Sequence, residues 1–247
     1  PIRGFASDLG IAGGCIAILA AITKSLDIKK VDVSARRDWV VTERAKLDDE
    51  RRDMIEKNAH RMPMHPAWVS QCIGAAKDSN AIVVNEYTLQ LDYCGFEQSD
   101  SYFGSSSASG LGWGPGAALG AKLAAPERQV IAVSGDGAYL FSNPVAVHHA
   151  AALHKLPVLF IVMNNSMWNA VRRSTLQMYP QGETGRGNDT PFTRLGHLPA
   201  FEQVCAAAGG YGERVEDAAE LPAAIERALN VVQNEGRQAL LNVICGV

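Results

Sequence analysis

Across residues 66–247, short and continuously apolar runs alternate with segments whose apolar positions recur at helical spacing. The runs at 81–85, 130–134, 157–163 and 239–244 are rich in Val, Ile and Leu and show no polar alternation. Strands covered on both faces of a parallel sheet have this signature, because neither face gives a polar side chain access to water. The helical spacing falls near 66–77, 114–124, 144–154, 199–208 and 218–234. Strand and helix in alternation predict an α/β domain built on a doubly wound parallel sheet. Two stretches fit neither pattern. SYFGSSSASGLGWGPG at 101–116 is too rich in Gly and Ser for a regular element and predicts a loop running into a helix; 180–198 is also loop-like.

Upstream the pattern changes. Residues 1–30 hold a short extended start, the pair Gly13-Gly14 and an apolar, helix-like run at 15–26. Residues 34–63 carry dense charge of both signs, as a solvated helical connector does, and Pro63 and Pro66 end it. The expected layout is a fragment of a preceding α/β domain at 1–30, a charged helical linker at 31–65 and the main domain at 66–247.

Composition narrows the function classes. The chain has 247 residues, 47% hydrophobic and 20% charged, with a formal net charge of −3. That balance is ordinary for a globular protein and favours neither nucleic acid nor an anionic membrane as partner. No apolar run is long enough to span a bilayer; the one at 11–22 is too short. Five scattered cysteines, none in a CxxC pair, read as reduced thiols of a cytoplasmic protein. His148, His149 and His154 lack Cys or carboxylate neighbours at a ligand spacing and read as helix residues.

The candidate chemistry lies at two strand ends. In VIAVSGDGAYL an apolar run leads straight into Gly135-Asp136-Gly137. Ligands of open α/β sheets bind beyond the carboxyl ends of strands, so Asp136 is placed to meet one. The flanking glycines allow the main chain close to a phosphate, and a helix expected from about Asn143 would favour an anion at its start. In PVLFIVMNNSMW a second run ends in Asn164-Asn165. Two adjacent amides there are costly to bury without partners, and an amide oxygen is a hard, neutral ligand for magnesium. A magnesium–diphosphate site follows from these residue types. So does a plain turn followed by a plain helix cap, and the residue types alone leave both open.

GDG, 26 intervening residues and NN together resemble the thiamine diphosphate fingerprint. Residues 66–247 look like the diphosphate-binding domain of the acetolactate synthase, benzoylformate decarboxylase and pyruvate decarboxylase superfamily. Residues 1–30 look like the last strand and helix of its central domain. The resemblance implies thiamine diphosphate and Mg2+ as cofactors. It implies Asp136, Asn165 and the main-chain carbonyl of Met167 as metal ligands, with Gly135, Gly137, Ala138 and Trp168 beside the cofactor. The segment Ser109-Gly110-Leu111-Gly112-Trp113 looks like the family's GSxGF-type stretch. There Leu111 would wedge the cofactor into its V shape, and the carbonyl of Ser109 would accept a hydrogen bond from its aminopyrimidine. Thr88 stands where a family hydroxyl often meets the diphosphate, although NEYT departs from the commoner glycine-containing pattern.

The resemblance also implies what is missing. The glutamate that activates the pyrimidine ring lies on a pyrimidine-binding domain with no counterpart in these residues. Glu86 would lie on the diphosphate side, and Glu43, Glu50 and Glu56 sit in the connector. The chain therefore reads as the C-terminal portion of a longer polypeptide or as a split subunit. In either case it is inert alone and works in a homodimer or homotetramer. Trp168 and Val171 would line the substrate pocket. Pyruvate decarboxylase-like members carry a glutamate at the position of Val171. Its absence favours an acetolactate synthase-like carboligase, or a lyase acting on a small 2-keto or 2-hydroxy acid or derivative. A benzoylformate decarboxylase-type activity is the alternative. Arg172 and Arg173 suit an acid or coenzyme A group, or simply a helix surface. FAD remains undecided, since its site uses mainly the central domain. From other classes, a non-catalytic regulatory relative stays open, and a nicotinamide oxidoreductase would use Gly112 to Ala117 as a loose GxGxxA. That motif requires a strand immediately before its glycines, and SYFGSSSAS is not one.

Overall fold

Six parallel strands organise residues 51–247 in this computed structural model, which describes residues 6–87, 89–104, 110–187 and 192–246. The chain divides into two units at Glu50–Arg51. The first carries α1 (Cys15–Lys29) and most of α2 (Ser34–Asn58). Helix α1 ends where Lys30 turns left-handed, and it buries none of its residues: Ile16, Leu19, Ile22 and Leu26 are all exposed. Helix α2 is the charged connector, with surface pairs such as Arg44–Asp48 one turn apart. Such exposed pairs contribute little individually.

The second unit continues with α3 (Pro66–Ala76), β1 (Ile82–Glu86), β2 (Tyr102–Phe103), α4 (Trp113–Ala124), β3 (Val130–Gly135), α5 (Asp136–Phe141) and α6 (Pro144–Leu153). It ends with β4 (Leu159–Asn164), α7 (Asn169–Met178), α8 (Glu183–Arg186), α9 (Phe201–Ala207), β5 (Tyr211–Val215), α10 (Leu221–Asn234) and β6 (Ala239–Ile244). The sheet order is β2-β1-β3-β4-β6-β5, parallel throughout. Alternate strand residues feed two cores. Val83, Ile131, Val133, Leu159, Ile161, Leu241 and Val243 pack with α3 and α10. Ile82, Val84, Val130, Ala132, Phe160, Val162 and Leu240 pack with α4, α6 and α9. Helices thus cover both faces, which is why the four central strands read as continuous apolar runs. The doubly wound α/β sheet is as the sequence predicts. Among the described residues no helix is long and apolar enough to cross a membrane.

Three local features differ from the sequence reading. Strand β5 was not expected: YGERV forms a sheet edge, half exposed, where Glu213 pairs with Arg227 of α10. Charges that protect an edge also mask the strand pattern. The second is the pairing of β2 with β1 through only two residues. The third is an additional helix, α5, which begins at Asp136 itself. Asn143, left-handed at φ 56°, separates it from α6.

A buried polar chain fixes α5 in place. Tyr139 Oη meets His148 Nε2 at 2.6 Å, His148 Nδ1 meets Gln238 Oε1 at 2.7 Å, and Gln238 Nε2 donates to the His148 carbonyl at 2.9 Å. The Gln238 oxygen only accepts, so His148 carries its proton on Nδ1 and accepts from the tyrosine on Nε2. Burial pushes the imidazole below its ordinary value, against a smaller opposing contribution from Gln238. The unfolded state then binds more protons as pH falls through about 6.5, so this group lowers stability on acidification. We expect His148→Phe to lower stability at neutral pH by about 1–3 kcal/mol, by stranding Tyr139 Oη and Gln238 Oε1. The deficit should narrow below pH 6.5. Urea midpoints of both proteins at pH 7.5 and 5.5 check it, and a deficit that widens in acid would refute the neutral assignment.

Candidate active site

The tips of β3 and β4 are tied together by one carboxylate. Asp136 is buried at the start of α5. Its Oδ1 accepts from Gly137 N at 2.7 Å, and its Oδ2 accepts from Asn165 N at 3.1 Å and Met167 N at 3.3 Å. Burial raises its carboxyl above the ordinary range, and the surrounding backbone N–H groups oppose that rise. Its partners are main-chain donors, and among the described residues no Lys or Arg pairs with it.

The two asparagines divide their work. Asn164 points inward: its Nδ2 donates to Asn242 Oδ1 at 3.0 Å, and Asn242 in turn donates to Glu202. Its Oδ1 accepts from Ser166 N and Oγ, holding a turn in which Ser166 is left-handed at φ 56°. Asn165 faces the opposite way, and its Oδ1 accepts from Met167 N at 3.0 Å. The following residues are clasped from outside: Trp168 N donates to Thr193 O at 2.7 Å and Leu195 N to Ser166 O at 3.0 Å.

Above these tips, beyond the carboxyl ends of β1, β3 and β4, lies a cavity of about 650 Å³. Gly110, Leu111, Gly135, Asp136, Gly137, Ala138, Asn165, Met167, Trp168 and Val171 all line it. Thr88 and Ser109, expected here from the sequence, lie outside the described residues. The indole of Trp168 stacks edge-on with Phe141 at 5.4 Å and lies where a Cβ on Gly137 would be, so that glycine makes room for the tryptophan. A Cβ on Gly135 would meet nothing within 4 Å, so that backbone is bare.

The cavity also contains residues that sequence patterns did not assign. Arg173 lines it, whereas the motif left it either to the surface or to an acid group. Asn169 and Ala170 join it because α7 starts at its rim. Glu86, the last residue of β1, also lines it though buried, on the side the sequence reading gave it; unforeseen is that Gly112 N and Gly114 N donate to its carboxylate at 2.5 and 2.7 Å. No sequence rule links an acid to glycines 26 and 28 residues later.

Comparison with known proteins agrees with this arrangement. Residues 86–243 match the family described as "Thiamine pyrophosphate enzyme, C-terminal TPP binding domain". A probable acetolactate synthase from Mycobacterium bovis is 35% identical over 74% of this chain and 32% of its own length. A benzoylformate decarboxylase from Pseudomonas aeruginosa is 32% identical over 68% of the chain and 30% of its own. The solved structure of a thiamine diphosphate-dependent 4-hydroxybenzoylformate decarboxylase from Rhodococcus jostii RHA1 superposes with a TM-score of 0.63 at 28% identity. It matches 74% of this chain and 33% of that one. The chain thus spans about a third of the length of these relatives. By fold, by the strand-tip geometry and by this match, the chain belongs to the thiamine pyrophosphate enzymes, through their C-terminal TPP-binding domain.

Proposed function

We propose that the chain is the cofactor-binding part of an enzyme that makes or breaks carbon–carbon bonds next to a carbonyl. In this reading Asp136, Asn165 and the main-chain carbonyl of Met167 hold Mg2+, which anchors the diphosphate. The Asp136 carboxylate carries the argument. It is buried, raised in pKa by that burial, and answered among the described residues by backbone N–H groups. An anion so placed gains from a small divalent cation. Asp136 Oδ2 and Asn165 Oδ1 converge on one N–H, that of Met167, so two hard oxygens stand side by side. Among the described residues no group of three or more His, Cys, Asp or Glu gathers around a metal position. So small a donor set suits Mg2+, which completes its octahedron with phosphate oxygens and water.

When bound, thiamine diphosphate supplies an electron sink for the pair left at a carbonyl carbon. The chain's own residues bind, shape and shield. Gly135, Gly137 and Ala138 offer backbone to the diphosphate, and Leu111 supports the bent cofactor. Trp168 and Val171 line the substrate side with apolar surface, and Val171 brings no proton-transferring group. That lining supports a carboligase or lyase acting on a 2-keto or 2-hydroxy acid or derivative, as in the acetolactate synthase relative. The P. aeruginosa and R. jostii relatives support a second reading, decarboxylation of an aromatic 2-keto acid. Product analysis with pyruvate and with benzoylformate separates the two.

The same reading assigns 66–247 to the diphosphate-binding domain, 31–65 to the linker and 1–30 to the end of a preceding domain. A pyrimidine-binding domain, on the same polypeptide or on a partner in a homodimer or homotetramer, supplies the activating glutamate. The exposed Ile16, Leu19, Ile22 and Leu26 suit such a covered surface. Five unpaired cysteines suit a reducing cytoplasm.

Two outcomes are expected in the complete enzyme. Asp136→Asn should weaken Mg2+-dependent binding of thiamine diphosphate by at least about tenfold in calorimetry, while the apoprotein keeps its circular dichroism. Unchanged affinity would overturn the metal assignment. Leu111→Ala should lower kcat by about tenfold or more with cofactor affinity within about threefold, because shape rather than binding is lost. Equal turnover would count against the wedge.

A further inference from the structure

Leu111 stands at the cavity and is 38% exposed. A side chain that must press on a cofactor needs neighbours that fix its backbone. The residues after it do so. Gly112 is left-handed at φ 92° and lies so close to the end of α5 that a Cβ there would come within 2.6 Å of the Phe141 carbonyl carbon. Its N–H and that of Gly114 both donate to Glu86, at 2.5 and 2.7 Å, one to each carboxylate oxygen. A Cβ on Gly114 would lie 3.0 Å from Glu86 Cβ and from its Oε2. Glu86 itself is rigid: 3% exposed, in the last position of β1, and in register with Ser134 of β3.

We propose that Glu86 is a positioning residue that sets the height and direction of Leu111 in the cavity; this rests on the wedge reading of Leu111. The two N–H groups lie at the entry to α4, where the backbone has no intrahelical acceptors. A carboxylate on a strand tip takes both at once, a geometry that a single-oxygen cap cannot provide. The Leu111 main chain is thereby held between β1, through Glu86, and α5, through Gly112. Helix α5 is also the element that begins with Asp136. The metal-ligand helix and the wedge thus share one backbone contact, and Glu86 closes it from the other side. Glu86 does not touch the reacting atoms; it acts through the leucine.

The test uses the complete enzyme with Glu86→Gln, Glu86→Asp, Leu111→Ala and the double variant Glu86→Gln/Leu111→Ala. Hydrogen exchange of the apoprotein over residues 110–114 is the readout that does not depend on activity. Glu86→Gln retains the shape but only one accepting oxygen, and Glu86→Asp is one methylene too short to serve both N–H groups. Both should speed exchange there by about tenfold or more, leaving the rest of the sheet protected. In turnover assays at saturating cofactor, Glu86→Gln should lower kcat by about tenfold with KM within about threefold. It should add little to Leu111→Ala, because both changes remove the same contact. Wild-type exchange at 110–114 in both Glu86 variants overturns the role of Glu86, as does a loss that multiplies with that of Leu111→Ala. Leu111→Ala with wild-type turnover overturns the wedge reading itself.

Discussion

A buried carboxylate with no counter-ion among the described side chains is the constraint on which the strand tips depend. Asp136 takes hydrogen bonds from its own helix start and from the turn after β4. Two parallel strands are not otherwise joined at their carboxyl ends beyond the last rung of the ladder. The carboxylate therefore sets the spacing of Gly135 and Asn165, and through Met167 the start of the turn leading to α7. Removing it from water is costly, and the N–H groups offset that cost only in part, as its raised pKa shows. The remaining imbalance is what a bound cation would relieve. In the proposed reading, the metal position would follow from the way the sheet ends.

What the sequence made legible divides along physical lines. The strands at β1, β3, β4 and β6 were readable because both faces are buried, so most of their positions carry apolar residues and the polar ones fall mainly at the carboxyl ends. Strand β5 was not, because an edge strand answers to solvent and to Arg227 as much as to the core. Asp136 and Asn165 were readable because they sit next to the elements that position them. The bonds from Gly112 and Gly114 to Glu86 and the bond from His148 to Gln238 were not, since these partners are separated by 26, 28 and 90 residues and meet only once the sheet is folded. Polar residues paired over such distances leave no periodic trace.

The same division explains how Asn164 and Asn165, identical in sequence, differ in place. A strand turns successive side chains to opposite sides. Asn164, at the end of β4, falls on the side of Asn242, where every polar atom must find a protein partner, and it finds Asn242 and Ser166. Asn165 falls on the cavity side, where its amide remains available. An adjacent pair is therefore a structural anchor followed by a cavity-facing amide, and exchanging their places would require the strand to slip by one residue.

The two glycines flanking Asp136 are also unequal, and this bears on how the two walls of the cavity are joined. Gly135 leaves its backbone open. Gly137 instead accommodates the Trp168 indole, which stacks on Phe141 at the far end of the same short helix. The indole that lines the cavity thus packs on the helix that begins with Asp136. A side chain at position 137 would force the indole out of its place, altering that cavity wall without touching Asp136. Conversely, a shift of α5 that moved Asp136 would carry Phe141 with it and tilt the indole. In this fold the Asp136 carboxylate and the indole wall of the cavity cannot vary independently, because six residues of one helix support both.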